Sequence, residues 1–119
     1  MRMIITAGGT GGHIMPAVAI AEAIRELSPG TRILFVGTDR GMEERIAGLY
    51  GLDFTAIRAL GIKGKSPVQV GRAAVTNTAA FFKALKIVRA YRPDWVVGTG
   101  GYITGMVVLA GYLQGAACA

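Results

Sequence analysis

Apolar and polar positions along the chain switch repeatedly between a strand rhythm and a helix rhythm. Residues 2–7 form a short apolar, partly β-branched run that stops at glycines, the pattern of a buried strand. Over residues 14–27 the apolar positions Val18, Ala21, Ile24 and Leu27 recur at helical spacing, with Glu22, Arg25 and Glu26 on the other side. Pro16 is expected in the first turn of that helix, where a missing N–H costs nothing, and Ser28-Pro29-Gly30 ends it. The alternation then continues: a strand at 32–37, a short helix at 42–50 and a strand at Asp53–Ile57. A polar loop at 58–67 leads into a long helix at 68–91, closed by Arg92-Pro93-Asp94. Trp95–Gly98 reads as a fourth strand, and a last helix is expected at 104–113.

Short, almost wholly apolar strands alternating with helices predict an α/β fold, a Rossmann-like doubly wound parallel sheet covered on both faces. No internal repeat or low-complexity linker divides the chain, so 1–119 reads as one domain. The pattern stops where a fifth strand is expected to begin. The chain therefore reads as one truncated half of a two-lobed enzyme, with the second lobe absent.

Composition narrows the function classes. Hydrophobic residues make up 52% of the chain and charged residues only 17%, which supports a packed core and excludes disorder. The net charge of +6 admits nucleic acid, an anionic membrane surface or a phosphorylated substrate as partners. The densest basic stretches, 58–65 and 83–92, do not interleave aromatics with cations, and no zinc-finger spacing exists, so nucleic acid is not expected. A lone cysteine, Cys118, excludes an internal disulfide and a cysteine zinc site, and no metal or cofactor is expected. The N-terminal apolar run is too short for a signal peptide. Residues 95–119 carry no charge and contain the pairs Gly101/Gly105 and Gly111/Gly115, features of a membrane helix. Gly98-Thr99-Gly100-Gly101 would break such a helix near its start, so strand, glycine turn and helix is the preferred reading.

The chemistry concentrates in two glycine loops. Gly8-Gly9-Thr10-Gly11-Gly12-His13 joins the first strand to the first helix, where free helix N–H groups and the positive dipole end suit a phosphate or diphosphate. The alternative is that these glycines serve only tight helix–strand packing. The run lacks the third glycine of a dinucleotide fingerprint, and Asp39 lies too far along for a good ribose acid, so nicotinamide binding is a poor fit. Residues 59–66, Ala-Leu-Gly-Ile-Lys-Gly-Lys-Ser, miss a triphosphate-binding loop by their first glycine and run into Pro67. The second loop, Gly98-Thr99-Gly100-Gly101-Tyr102-Ile103-Thr104-Gly105, also joins strand to helix. In a doubly wound sheet the first and fourth strands are neighbours, so both loops are expected at one crevice. His13, the only histidine, sits at a helix start beside that crevice. It is a candidate general base for a sugar hydroxyl, or else a phosphate ligand.

These motifs resemble the lipid I N-acetylglucosaminyltransferases of glycosyltransferase family 28. The resemblance rests on residues 8–17 with Ala19 and Ala21, then Gly37-Thr38 with Met42-Glu43 and Gly61-Ile62-Lys63-Gly64-Lys65. Tyr91-Arg92-Pro93-Asp94 leading to Gly98-Thr99-Gly100-Gly101-Tyr102 completes it. It implies the N-terminal, acceptor-side half of a GT-B enzyme that moves N-acetylglucosamine from UDP-N-acetylglucosamine to lipid I, giving lipid II with inversion and no required metal. His13 is then the candidate base, and Gly9, Thr10, Gly11, Gly12, Gly100, Gly101, Tyr102 and Thr104 are candidate substrate contacts. It further implies peripheral docking on the cytoplasmic face of the bacterial membrane. Val75, Phe81, Phe82 and Leu85 with Arg72, Lys83 and Lys86 are the candidates for that surface, core burial being the alternative for the aromatics. Thr104 and Met106 depart from the Ser and Pro usual in the family's second loop. The reading from a different class is a stand-alone Rossmann-like module that binds an anionic nucleotide or a polyprenyl diphosphate without catalysis.

Overall fold

The computed structural model describes residues 1–8, 11–39, 42–58 and 66–119. In chain order the elements are β1 (Arg2–Thr6), α1 (Gly11–Leu27), β2 (Arg32–Thr38), α2 (Met42–Leu49), β3 (Asp53–Ile57), α3 (Pro67–Tyr91), β4 (Trp95–Gly98), α4 (Tyr102–Leu113) and β5 (Ala117–Cys118). The strands form one parallel sheet in the order β3-β2-β1-β4-β5. This is the doubly wound α/β arrangement expected from the apolar pattern, with β1 and β4 adjacent at the switch point.

Strand alternation divides the core into two layers. Met3, Ile5, Ile33 and Phe35 point to the α1/α2 side, where they meet Ile14, Ala17, Val18, Ala21 and Ala47. Ile4, Leu34, Val36 and Val96 point to the α3/α4 side, against Ala80, Ala84, Val88, Ile103, Val107 and Ala110. Past its first residue β1, like the 33–36 run of β2, is buried on both faces because both faces are covered. The buried positions of α3 are alanines and one valine, Ala73, Ala80, Ala84 and Val88, so this helix lies close against its neighbours.

Several boundaries differ from the sequence expectations. A fifth strand does begin within the chain. Ala117 and Cys118 pair with Trp95 and Val96, and the Gly98 N–H donates to the Ala119 carbonyl at 2.8 Å. Its small residues gave no strand signal, and its pairing is supplied by β4. Helix α1 starts at Gly11, so Pro16 lies inside it rather than in its first turn. Leu27, expected on the buried stripe, is 83% exposed because the helix ends there, beyond the sheet's cover. Helix α3 begins at Pro67. The proline keeps Ser66 extended, and that makes Ser66 the N-cap: its hydroxyl accepts from the Gln69 N–H while Gln69 Oε1 accepts from the Ser66 N–H. Of the near-miss phosphate loop, 59–65 lie outside the described residues, and Ser66 is engaged as a cap. The uncharged segment 95–119 is strand, turn, helix and strand, and among the described residues no helix is long and apolar enough to cross a membrane.

Tight seams hold the layers. Arg25 reaches from α1 to donate to the carbonyls of Tyr50 and Gly51, at 2.5 and 2.6 Å, tying down the end of α2. At Gly111 a Cβ would come within 2.5 Å of Val96 Cγ2, so the missing side chain lets α4 rest directly on β4. Nothing lies within 4 Å of such a Cβ at Gly71, in α3. The two sites therefore respond oppositely to the same change. Gly111→Ala should lower the stability measured by denaturant unfolding by about 1–3 kcal/mol through overpacking, whereas Gly71→Ala should raise it by roughly 0.5–1 kcal/mol.

Candidate functional site

Strand pairing puts Thr6 opposite Gly98, so β1 and β4 end at the same height and both glycine loops leave the sheet together. Main-chain bonds then join the loops. The Gly8 N–H donates to the Gly100 carbonyl at 3.2 Å, and the Thr99 N–H donates to the Thr6 carbonyl at 3.1 Å. Gly100 and Gly101 have φ of 135° and 99°, conformations that favour glycine. A Cβ at Gly101 would strike the Gly8 carbonyl oxygen, and one at Gly100 would strike the His13 ring. The structure brings the two loops together at the ends of β1 and β4, as the topology predicts.

His13 is the third residue of α1 and is half-buried. Its main-chain carbonyl accepts a 2.6 Å hydrogen bond from Thr99 Oγ1, and its imidazole lies against Gly100 with Nδ1, Cε1 and Cγ nearest. Helix α4 starts on Gly101, an N-cap with no side-chain hydrogen bond, and neither α1 nor α4 has an acid in its first turn. Two helix N-termini without an acid in their first turns therefore adjoin the bonded loops. Thr104 Oγ1 is turned inward. It donates to Gly100 O at 2.7 Å and lies 3.4 Å from Thr6 O, so it braces the loop rather than presenting a free hydroxyl. Gly11 and Gly12 open α1, while Gly9 and Thr10 lie outside the described residues, as does the side chain of Tyr102.

Three contributors carry no role in the sequence reading. Thr38, at the end of β2, donates to Glu43 Oε1 at 2.6 Å, and Glu43 is only 1% exposed in the first turn of α2. This pair fixes the strand end beside Gly8, since a Cβ on Gly8 would lie 3.1 Å from Thr38 Cγ2. The Gly37-Thr38 and Met42-Glu43 signal was visible, but only the fold brings its two halves together. The third is Thr99, whose bond to His13 spans 86 positions of chain. Cys118 takes no part in the crevice; burial pushes its thiol up from the ordinary value and Sγ contacts the Val108 carbonyl.

The residues proposed for a membrane surface divide. Val75 and Phe82 are 73% and 63% exposed, two helical turns apart on one stripe of α3, with Arg72, Lys83 and Lys86 exposed around them. Phe81 and Leu85 are half-buried against the core and serve packing as well. Helix α3 has no acidic residue. The sequence reading missed the contribution of α4, whose Leu109, Tyr112 and Leu113 are exposed. A cleft of about 550 Å³ between the two helices is lined by Thr78, Phe81, Gly105, Met106 and Leu109. Thr78 also borders the neighbouring hollow with Val75 and Phe82, so the apolar surface is continuous across both helices. The signal for it was the lack of charge from 95 to 119, which by itself reads as burial.

Substituting Gly101 tests the seam. Gly101→Ala should cost about 1–3 kcal/mol and speed hydrogen exchange at the Gly8 amide by roughly tenfold or more, through backbone strain and separation of the loops.

Comparison with known proteins adds to this geometry. The model of the glycosyltransferase family 28 N-terminal domain matches residues 3–118. The UDP-N-acetylglucosamine–N-acetylmuramyl-(pentapeptide) pyrophosphoryl-undecaprenol N-acetylglucosamine transferase of Desulforudis audaxviator is 50% identical over 97% of this chain and 31% of its own length. The enzyme of the same name from Moorella thermoacetica is 44% identical over the same shares. The chain thus spans about a third of the length of the relatives it matches. Among solved structures, Acinetobacter baumannii MurG superimposes with a TM-score of 0.81 at 29% identity, covering 98% of this chain and 34% of that one. The glycosyltransferase VinC, solved with dTDP, shares the fold with a TM-score of 0.68 at 15% identity, over 99% of this chain and 33% of its own. With its sheet order, its paired glycine loops and a family match across nearly its whole length, this chain belongs to the N-terminal domain family of the family 28 glycosyltransferases and has the N-terminal half of a GT-B fold.

Proposed function

We propose that this chain is the acceptor-side lobe of an inverting transferase that passes N-acetylglucosamine from UDP-N-acetylglucosamine to lipid I, forming lipid II. The observation that carries the reading is the pair of glycine loops bonded together with His13 against them. Its main-chain N–H groups and helix dipoles suit the diphosphate of a polyprenyl-linked acceptor. The printed names of the relatives include a pyrophosphoryl-undecaprenol acceptor and a UDP-sugar donor, in agreement with that chemistry. Most donor contacts are assigned to a second lobe beyond the residues described.

In the proposed reaction His13 takes the proton from the acceptor C4 hydroxyl as that oxygen attacks the anomeric carbon of the sugar. The bond from the anomeric carbon to the UDP phosphate oxygen breaks in the same displacement, UDP leaves with the electron pair, and the configuration inverts. The substrate contacts assigned to this site are Gly11, Gly12, Gly100 and Gly101, with Gly9, Thr10, Tyr102 and Thr104 carried over from the family motif. The inward hydroxyl of Thr104 gives that residue a supporting role.

The α3/α4 face is assigned to the anionic inner surface of the bacterial membrane, with the protein peripheral to it. Apolar Val75, Phe82 and Leu109 enter the interface while Arg72, Lys83 and Lys86 meet lipid headgroups, each cation near the surface contributing about 1 kcal/mol.

Two outcomes follow. In a two-lobed transferase carrying this chain, His13→Ala should lower kcat by about 100-fold or more with little change in KM, measured with a lipid I analogue. A loss confined to KM would make His13 a ligand and not a base, and calorimetry with tight binding of NAD in place of a polyprenyl diphosphate would overturn the transferase reading. In vesicle sedimentation, the chain should partition onto anionic but not neutral vesicles. Lys83→Ala with Lys86→Ala should weaken that partitioning by about tenfold or more, and high salt should abolish most of it.

A further inference from the structure

The first turn of α1 is weak from within. Gly11 and Gly12 open it, each about 1 kcal/mol less favourable in a helix than alanine, and Pro16 has no N–H for the Gly12 carbonyl four residues back. Yet this turn carries His13, and a base must be held within hydrogen-bond reach of the hydroxyl it serves. The turn is held from outside, by the second loop. Thr99 is fixed to the sheet through its N–H, which donates to Thr6 O, and its hydroxyl donates to His13 O at 2.6 Å. Gly100 lies under the imidazole, and its own carbonyl is held by the Gly8 N–H at 3.2 Å and Thr104 Oγ1 at 2.7 Å. A Cβ on Gly100 would meet Nδ1, Cε1 and Cγ of the ring first, so the imidazole occupies the space where a side chain would stand.

We infer that Thr99 and Gly100 are positioning residues for His13. The threonine hydroxyl fixes the weak helix turn, and the absent side chain at Gly100 leaves the space in which the ring is held. The second glycine loop thus has a task beyond meeting an anion: it sets the geometry of a side chain on the first. This inference rests on the role proposed for His13, but the orientation itself can be tested separately.

His13 is the only histidine, so the imidazole Cε1–H signal in the NMR spectrum of the 119-residue chain is unambiguous. The wild type and Thr99→Ser, which keeps the hydroxyl, should give one sharp signal at the same position. Thr99→Val and Thr99→Ala should displace and broaden it while the amide signals of β2, β3 and α3 stay in place, and Gly100→Ala should displace it too. An unmoved, sharp signal in both hydroxyl-free variants overturns the inference. So does loss of the whole folded spectrum in both, which would make Thr99 a residue of the fold alone. Inorganic diphosphate added to the wild type separates this inference from the transferase reading. If the Gly8 and Gly101 amides ignore diphosphate while the His13 signal still depends on the Thr99 hydroxyl, positioning stands and the anion cradle falls.

Discussion

The register between β1 and β4 is the constraint on which the rest of this molecule depends. Thr6 stands opposite Gly98, so two strands far apart in sequence end level and release their loops into the same space. A shift of one residue would turn the side chains of a strand to the opposite face and break up both core layers at once. The alternation of Ile4 against Met3 and Ile5 therefore secures the position of the crevice. Core packing and site geometry are here one requirement.

Most of the fold was legible in the residues because its signals are local. The β-branched runs, the helical stripe of α1 and the glycine stops are each contained within one element, and they located four strands and four helices. What escaped was decided by partners elsewhere. The Ala117–Cys118 strand exists because β4 offers a free edge, and the start of α1 at Gly11 overrides the poor helix propensity of two glycines. The crevice was legible as two anion-suited loops with a histidine. The cross-links that give it shape, from Thr99 to His13 and from Thr38 to Glu43, were not, since a threonine looks the same in sequence whether its hydroxyl meets water or a carbonyl 86 positions away.

The α3/α4 side shows a similar division of labour on a larger scale. Inward, alanines and valines let the helices sit close to the sheet; outward, Val75, Phe82, Leu109, Tyr112 and Leu113 remain uncovered. Absence of charge along 95–119 thus has two causes, one face of α4 buried and the other facing out. Composition could not separate them. The acid-free, cation-bearing helix α3 beside this surface is what distinguishes it from a stretch of core.

The crevice is built largely from main-chain atoms: amides, carbonyls and glycines with no side chain to exchange. One consequence concerns how such a site can change over time. A pocket lined by side chains can drift toward a new ligand through small, graded replacements. Here a side chain at Gly100 collides with a ring and one at Gly101 with backbone, so the permitted steps there are few and abrupt. Variation in what this lobe recognises is then channelled to the periphery, into the outward residues of α3 and α4, while the seam between the loops stays as it is.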